Sequence, residues 1–289
     1  MRSQLSRYDM QSASSLDEAL EVLSREEGWV PFAGGTDLMV LLEAGKLEKR
    51  RFLNLWGIPE LCGINTSDDV LTVGALATYT ELLADPVITA EFPLVAVASR
   101  ETGAVAIQNR GTIGGNIANA SPAADLPPAL LVYDAELELA SSRGRRRVNY
   151  DQFHQAYKKL DLAPDELIVN VKLPRRGLSA TNRAGRWKEV YRKVGTRRAQ
   201  AISKICFAAT ADLDGGVVRD IRIGLGSVAP TVVRARATEA ALRGRPLGPD
   251  SITAARAALR HDISPIDDIR STAAYRLRVA GNLLEEFLS

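Results

Sequence analysis

Leu16, Ala19, Leu20 and Leu23 recur at the three- and four-residue spacing of a helix with one buried face. The run "SSLDEALEVLSREEG" (14–28) therefore predicts a first helix. Ser14 or Ser15 is placed to cap it, Asp17 and Glu18 suit the positive end of its dipole, and Gly28 stops it. "WVPFA" (29–33) reads as a short buried strand running into Gly34-Gly35, and "TDLMVLLEAG" (36–45) restarts a helix with Thr36 as its cap. "RFLNL" (51–55) and "VLTVGAL" (70–76) predict further strands. "TYTELLADPVI" (78–88) and "FPLVAVASRETG" (92–103) predict helical stretches, with Asp85-Pro86 as the break, and "PAADLPPALLVYDA" (122–135) predicts a helix that starts on a proline.

Alternation returns in "ELELAS" (136–141), followed by the basic arm "RGRRRVNY" (143–150) and the strand "DELIVNVKLP" (165–174). Residues 175–198 then hold nine basic residues and one acid, with Gly177 and Gly185, which reads as a junction before the strand "WKEVYRKVG" (187–195). "AISKICFAATADL" (201–213) and "VVRDIRIGLGSVA" (217–229) predict two strands joined at Asp214-Gly215-Gly216, a hairpin signal. Three helices are expected near 234–243, 249–260 and 269–287. The first part is mixed and the last is an antiparallel sheet with helices, so the fold class is α+β.

Bulk composition narrows the partners. The 289 residues are 46% hydrophobic and 25% charged, with a net charge of +2. Such a balance favours neither nucleic acid nor a membrane as partner. Cys62 and Cys206 are too few and too far apart for an iron–sulfur cluster or a disulfide framework, and His154 and His261 are too isolated for a metal centre or a nucleophile–histidine pair. "MRSQLSRYDMQSASS" lacks the apolar core of a signal peptide and no apolar run is long enough to span a bilayer, so a cytoplasmic location is expected.

Two motifs lose to plainer readings. Gly224, Gly226 and Ala229 fit G-x-G-x-x-A, but Pro230 follows and no parallel βαβ unit surrounds them, so they read as a strand ending in a turn. The basic run 175–198 reads as a solvated face, though it is placed to lend one cation to a small anion. Two glycine segments are different. Gly34-Gly35-Thr36 and Gly114-Gly115-Asn116 each follow an apolar run and each pair glycines with a small polar residue. Backbone without Cβ atoms can bring N–H groups against a pyrophosphate, and a helix N-terminus after the first segment adds a favourable dipole. Two such segments far apart in sequence suggest one long ligand held from two sides, and a dinucleotide is the natural candidate.

"FAGGTDL" (32–38) together with "NRGTIGGNIANASPAADLPPAL" (109–130) closely resembles the FAD-binding, or medium, subunit of the molybdenum hydroxylases, the family of carbon monoxide and xanthine dehydrogenases. "YRKVGTRRAQAIS" (191–203) and "GLGSVAPTVVRA" (224–235) extend the resemblance over nearly the whole chain. It implies a two-lobed FAD-binding domain of the vanillyl-alcohol oxidase/molybdenum-hydroxylase flavoprotein type over 1–175, with lobes about 1–55 and 56–175. A small C-terminal domain of antiparallel sheet plus helices follows over 176–289.

It further implies that Pro31, Phe32, Ala33, Gly34, Gly35, Thr36, Asp37 and Leu38 wrap the pyrophosphate of a noncovalent FAD. Thr112, Ile113, Gly114, Gly115 and Asn116 form the facing loop. Asp125 bonds the adenosine part or a neighbouring loop, Ile168 offers backbone to the flavin side, Lys193 contacts the flavin, and Tyr191 covers a ring face. Thr102 falls where some relatives carry an aromatic residue near the flavin, which leaves the stacking partner open. A lysine there would stabilise the charge that accompanies reduction. No residue reads as a catalytic acid or base, consistent with chemistry carried by the cofactor. The implied role is electron transfer: molybdopterin on a large subunit, two [2Fe–2S] clusters on a small one, and FAD here passing electrons to NAD+, a quinone or another acceptor, in a dimer of heterotrimers. One alternative is a stand-alone FAD-dependent oxidoreductase of the same superfamily. Another is an assembly subunit that has lost FAD, which the intact glycine segments argue against.

Overall fold

The structure, a computed structural model, describes residues 5–176, 187–197 and 200–289. Positions 177–186 and 198 of the basic run, Gly177 and Gly185 among them, lie outside the described residues.

The first lobe is built from β1 (Asp9–Ser12), α1 (Leu16–Arg25), β2 (Trp29–Phe32), α2 (Leu38–Glu43) and β3 (Arg51–Asn54). Its three strands are parallel with β3 in the middle. The Ser15 hydroxyl caps α1 by accepting from the Glu18 amide at 3.2 Å, and Leu16, Ala19, Leu20 and Leu23 form its buried face. Thr36 does not cap α2. The chain is already helical at Asp37 (φ −94°, ψ −46°), which has no side-chain cap bond, and the Met39 amide closes the turn onto the Gly35 carbonyl at 2.9 Å.

The second lobe comprises β4 (Ile64–Thr66), β5 (Val70–Gly74), α3 (Tyr79–Ala84), α4 (Pro86–Glu91), α5 (Pro93–Glu101), α6 (Val105–Gln108), α7 (Ile113–Ala118), α8 (Pro127–Val132), β6 (Glu136–Ser141), β7 (Gly144–Asn149), α9 (Tyr150–Phe153), β8 (His154–Ala156), β9 (Lys159–Leu160) and β10 (Leu167–Pro174). Five of its strands form an antiparallel sheet in the order β4-β5-β10-β6-β7. "TYTELLADPVI" is two helices, because the Asp85 amide closes α3 on the Glu81 carbonyl while its carboxylate caps α4 by accepting from the amides of Val87 and Ile88 at 2.9 Å. Leu71, Val73, Phe92, Leu130 and Leu137, all fully buried, belong to the core that joins the helices to the sheet. The basic arm β7 is neutralised by its neighbours: Arg146 binds both Glu166 and Asp161, and Arg145 binds Glu138.

The remaining unit is β11 (Trp187–Val194), β12 (Ile205–Asp214), β13 (Val217–Gly226) and β14 (Val233–Arg234), an antiparallel sheet, with α10 (Arg236–Leu242), α11 (Pro249–Asp262) and α12 (Ala273–Leu288). Asp214 pairs with Val217, so Gly215-Gly216 is a two-residue hairpin turn. Gly224 and Gly226 lie on β13 in this antiparallel sheet, which explains their spacing without a nucleotide: a Cβ on Gly224 would come within 2.5 Å of the Pro128 carbonyl oxygen. The sheet thus packs directly on α8. Arg234 fastens the same contact, donating to the Leu131 carbonyl at 2.9 Å and to Asp134 at 2.7 Å. A cation at the C-terminal end of α8 also complements its dipole.

Gly224→Ala is expected to lower stability by about 2 kcal/mol, because backbone lies on both sides of the contact and neither can move cheaply. The urea midpoint reads this directly, and an unchanged midpoint would show that α8 and the sheet are not tightly apposed. A second expectation concerns His154, whose Nε2 lies 3.0 Å from the Ile117 carbonyl under α7. Burial holds its imidazole below the ordinary value, partly offset by that bond. Its contribution is therefore present above about pH 6.5 and is lost as pH falls, since the unfolded chain takes up the proton first. Between about pH 7 and pH 5, His154→Gln should lose stability less steeply than the parent protein.

Candidate functional site

The two glycine segments meet. A Cβ on Gly34 would lie 1.7 Å from the Arg110 carbonyl oxygen, so only glycine allows β2's exit loop to touch the turn before α7. Gly35 follows at φ +75° with the Phe32 ring beneath it. Among the described residues, no hydrogen bond engages the amides of Gly34, Gly35, Thr36 or Asp37. A cavity of about 610 Å³ opens beside them, lined by Gly34, Gly35, Thr36, Met39, Val40, Ile107 and Arg110. Pro31 and Phe32 belong to β2, Ala33 leads into the glycine pair, and Leu38 opens α2. Across the gap, the Asn119 amide donates to the Asp37 carboxylate at 3.2 Å, and Lys158 holds the Asn119 side chain at 2.9 Å.

The second segment is a helix where the sequence suggested a loop. Thr112 caps α7, its hydroxyl accepting from the Gly115 amide at 3.1 Å. The Ile113 and Gly114 amides donate to Ala77 and Ala75 at 2.9 Å, which fixes the first turn of α7 to the end of β5. Asn116, on the next turn, carries a buried Oδ1 without a partner among the described residues. Its side chain and that of Thr102 lie near the Tyr79 phenol. Tyr79 is 3% exposed, and burial raises its pKa. The same residue donates its amide to the Gly111 carbonyl at 3.2 Å, so it braces both ends of the second segment.

A polar cluster closes this end. Lys193 Nζ donates to Asp125 Oδ2 at 2.7 Å and to the Glu101 carbonyl at 2.8 Å. The Cys206 thiol donates to Asp125 Oδ1 at 3.2 Å, and the Tyr191 hydroxyl donates to the Asp125 carbonyl at 2.8 Å. Burial pushes Asp125 above the usual carboxylate range while the Lys193 ammonium pulls it back, and burial raises Cys206 and Tyr191 well up. Tyr191 is 6% exposed and packs in the second-lobe core, so it backs the cluster and has no open ring face. Ile168 is buried at a register shift between β10 and β6, where a bulge interrupts the ladder.

Of the residues singled out by sequence, Thr102, Asn116, Asp125, Tyr191 and Lys193 converge through Tyr79 and the Glu101 carbonyl. The first glycine segment joins them through Arg110 and Gly111. Sequence reasoning missed Tyr79, Glu101, Arg110 and Cys206. Arg110, directly before the "GTIGG" run, was the one with a usable signal.

The model for the FAD binding domain in molybdopterin dehydrogenase matches residues 6–176, and that for the CO dehydrogenase flavoprotein C-terminal domain matches 190–289. The chain belongs to the FAD-binding subunits of the molybdopterin dehydrogenases. It is 31% identical to the glyceraldehyde dehydrogenase medium chain of Sulfolobus acidocaldarius, covering 92% of each chain. It is 29% identical to the xanthine dehydrogenase FAD-binding subunit of Escherichia coli O157:H7, covering 96% of this chain and 93% of that one. Its structure superposes on a chain of carbon monoxide dehydrogenase from Hydrogenophaga pseudoflava with a TM-score of 0.90 at 28% identity, covering 97% and 95%. It is thus an FAD-binding oxidoreductase subunit of the carbon monoxide and xanthine dehydrogenase type. No helix among the described residues is long and apolar enough to cross a membrane.

The residues present fit an FAD. Amides 34–37 are uncommitted and could receive an anion, side-chain bulk is excluded at Gly34, and the Asn116 Oδ1 has no donor among the described residues. Tyr79→Phe should keep the fold and weaken FAD binding about fivefold, since removing the phenol that steadies the Asn116 side chain costs about 1 kcal/mol. Isothermal titration of the apoprotein with FAD checks this, and an unchanged affinity would remove Tyr79 from the site.

Proposed function

We propose that this chain accepts electrons from [2Fe–2S] clusters on a small partner subunit and delivers them through a noncovalent FAD to NAD+, a quinone or another acceptor. The proposal includes a large molybdopterin subunit where substrate is oxidised, assembly as a dimer of heterotrimers, and a cytoplasmic location. The domain division at about 175, with lobes meeting near 55, belongs to the same reading. The observation that carries it is the meeting of Gly34 with the Arg110 carbonyl, which sets uncommitted amides beside the capped start of α7.

When bound, FAD supplies the electron-accepting and electron-donating chemistry. The chain's own residues hold and tune it. Amides 34–37, at the N-terminal end of α2, would receive the pyrophosphate. Thr112 keeps the first turn of α7 closed, so that the Gly115 and Asn116 side would face the ligand. Ile168 would present backbone at its bulge, and Thr102 would line the flavin side. Lys193, two of whose three N–H groups are engaged by Asp125 and Glu101, would offer the third to the ring system. His154 gives its Nε2 to the Ile117 carbonyl, which disfavours the alternative of a covalently tethered stand-alone flavoenzyme.

The purified subunit should be yellow and release free FAD on denaturation. Gly115→Asp should abolish the colour in a folded chain, because only Thr112 Oγ1 lies near the added Cβ and the carboxylate would face the pyrophosphate. A parent protein that is colourless and refuses FAD would overturn the reading, as would a Gly115→Asp chain with full occupancy. In the assembled complex, reoxidation of the reduced flavin by NAD+ or by a quinone decides the acceptor.

A further inference from the structure

Lys193 reaches out of the C-terminal sheet into the second lobe and meets a buried carboxylate there. The lysine side chain is 7% exposed and that of Asp125 is 11% exposed. Both carboxylate oxygens accept bonds, Oδ2 from the ammonium at 2.7 Å and Oδ1 from the Cys206 thiol at 3.2 Å. Donors about both oxygens are the surroundings of an ionised carboxylate. The Glu101 carbonyl, at 2.8 Å, adds the negative end of α5 and is followed directly by Thr102. Lys193 therefore has a fixed direction, and among the described residues its third N–H has no acceptor.

We propose that Asp125 is a positioning residue that sets the reduction potential of the flavin by offsetting the charge of Lys193. The inference rests on the reading above, in which FAD lies beside that lysine. Reduction adds negative charge to the ring system. A lone buried ammonium would favour it strongly, and a carboxylate 2.7 Å from that ammonium takes back much of the effect. The paired arrangement keeps the potential low enough for the flavin to give up its electrons as well as take them. Asp125 also holds Nζ in place, and the Cys206 thiol holds the carboxylate.

The test is a redox titration of the FAD in the purified complex, for the parent, Asp125→Asn, Lys193→Met and the double variant. At a fixed solution potential, Asp125→Asn should raise the ratio of reduced to oxidised flavin about tenfold or more. Lys193→Met should lower it, and the double variant should return toward the parent, because the two charges cancel. Loss of FAD occupancy without a change of potential in the retained flavin would mean a structural latch only, and overturns the proposal. Should Asp125→Asn alone fail to hold FAD, the double variant against Lys193→Met carries the same test, since a neutral pair leaves no charge buried alone. The double variant must then lie higher, and equal potentials overturn the proposal. A parent complex without FAD would instead overturn the underlying functional reading.

Discussion

A buried ammonium and a buried carboxylate 2.7 Å apart join the C-terminal sheet to the second lobe, and much of the site's geometry depends on that contact. Such a pair contributes little net stability, yet removing one member costs about 3–5 kcal/mol because the other is left uncompensated. The neighbouring bonds show what the pair fixes. The Ser227 amide donates to the Pro122 carbonyl at 2.7 Å, the Ser203 hydroxyl to the Ala123 carbonyl at 2.9 Å, and the Tyr191 hydroxyl to the Asp125 carbonyl. Strand and loop residues of the C-terminal unit thus grip one strip, 122–125, through the carbonyls of Pro122, Ala123 and Asp125. The strip that follows the second glycine segment is a docking rail for the C-terminal unit.

That rail explains why α7 and β11 can be registered against each other although they are far apart in sequence. From the rail the chain passes into α8, and α8 packs on β13 at Gly224. On the other side, the first turn of α7 is bonded to Ala75 and Ala77 at the end of β5. The second glycine segment is thereby held by the sheet of its own lobe, and the first glycine segment needs only one close approach, at Arg110, to face it. The cleft is a consequence of backbone proximity at a few points where side chains are absent.

Much of this was legible in the sequence. The 3.6-residue stripe of α1, the alternation of β6 and the Gly215-Gly216 hairpin are local signals, and local signals survive folding. The glycine segments were legible because their composition has no cheap alternative explanation. α7 was not, since two glycines in six residues argue against a helix. It forms because Thr112 caps it and because its first amides are satisfied by Ala75 and Ala77, a tertiary contact with no sequence period. Thr36 was read as a cap by residue type, but the geometry of Gly35 starts the turn without it. Tyr79 and Cys206 were invisible for a different reason. Each looks like an ordinary core residue, and only the fold shows that its one polar atom is aimed at Asn116 or Asp125.

The cluster around Asp125 also constrains what chemistry this end of the cleft can do. Tyr79, Tyr191 and Cys206 are all pushed upward by burial, so near neutral pH each remains a protonated dipole. The opposite charges of Lys193 and Asp125, 2.7 Å apart, offset each other. Such an environment offers no proton at modest cost and little reorganisation when charge appears nearby. It suits a subunit whose task is to hold a redox group at a chosen potential, with bond-breaking left to another centre. Acid–base catalysis would need a group poised near neutrality, and burial has moved every candidate in this cluster the other way or paired it.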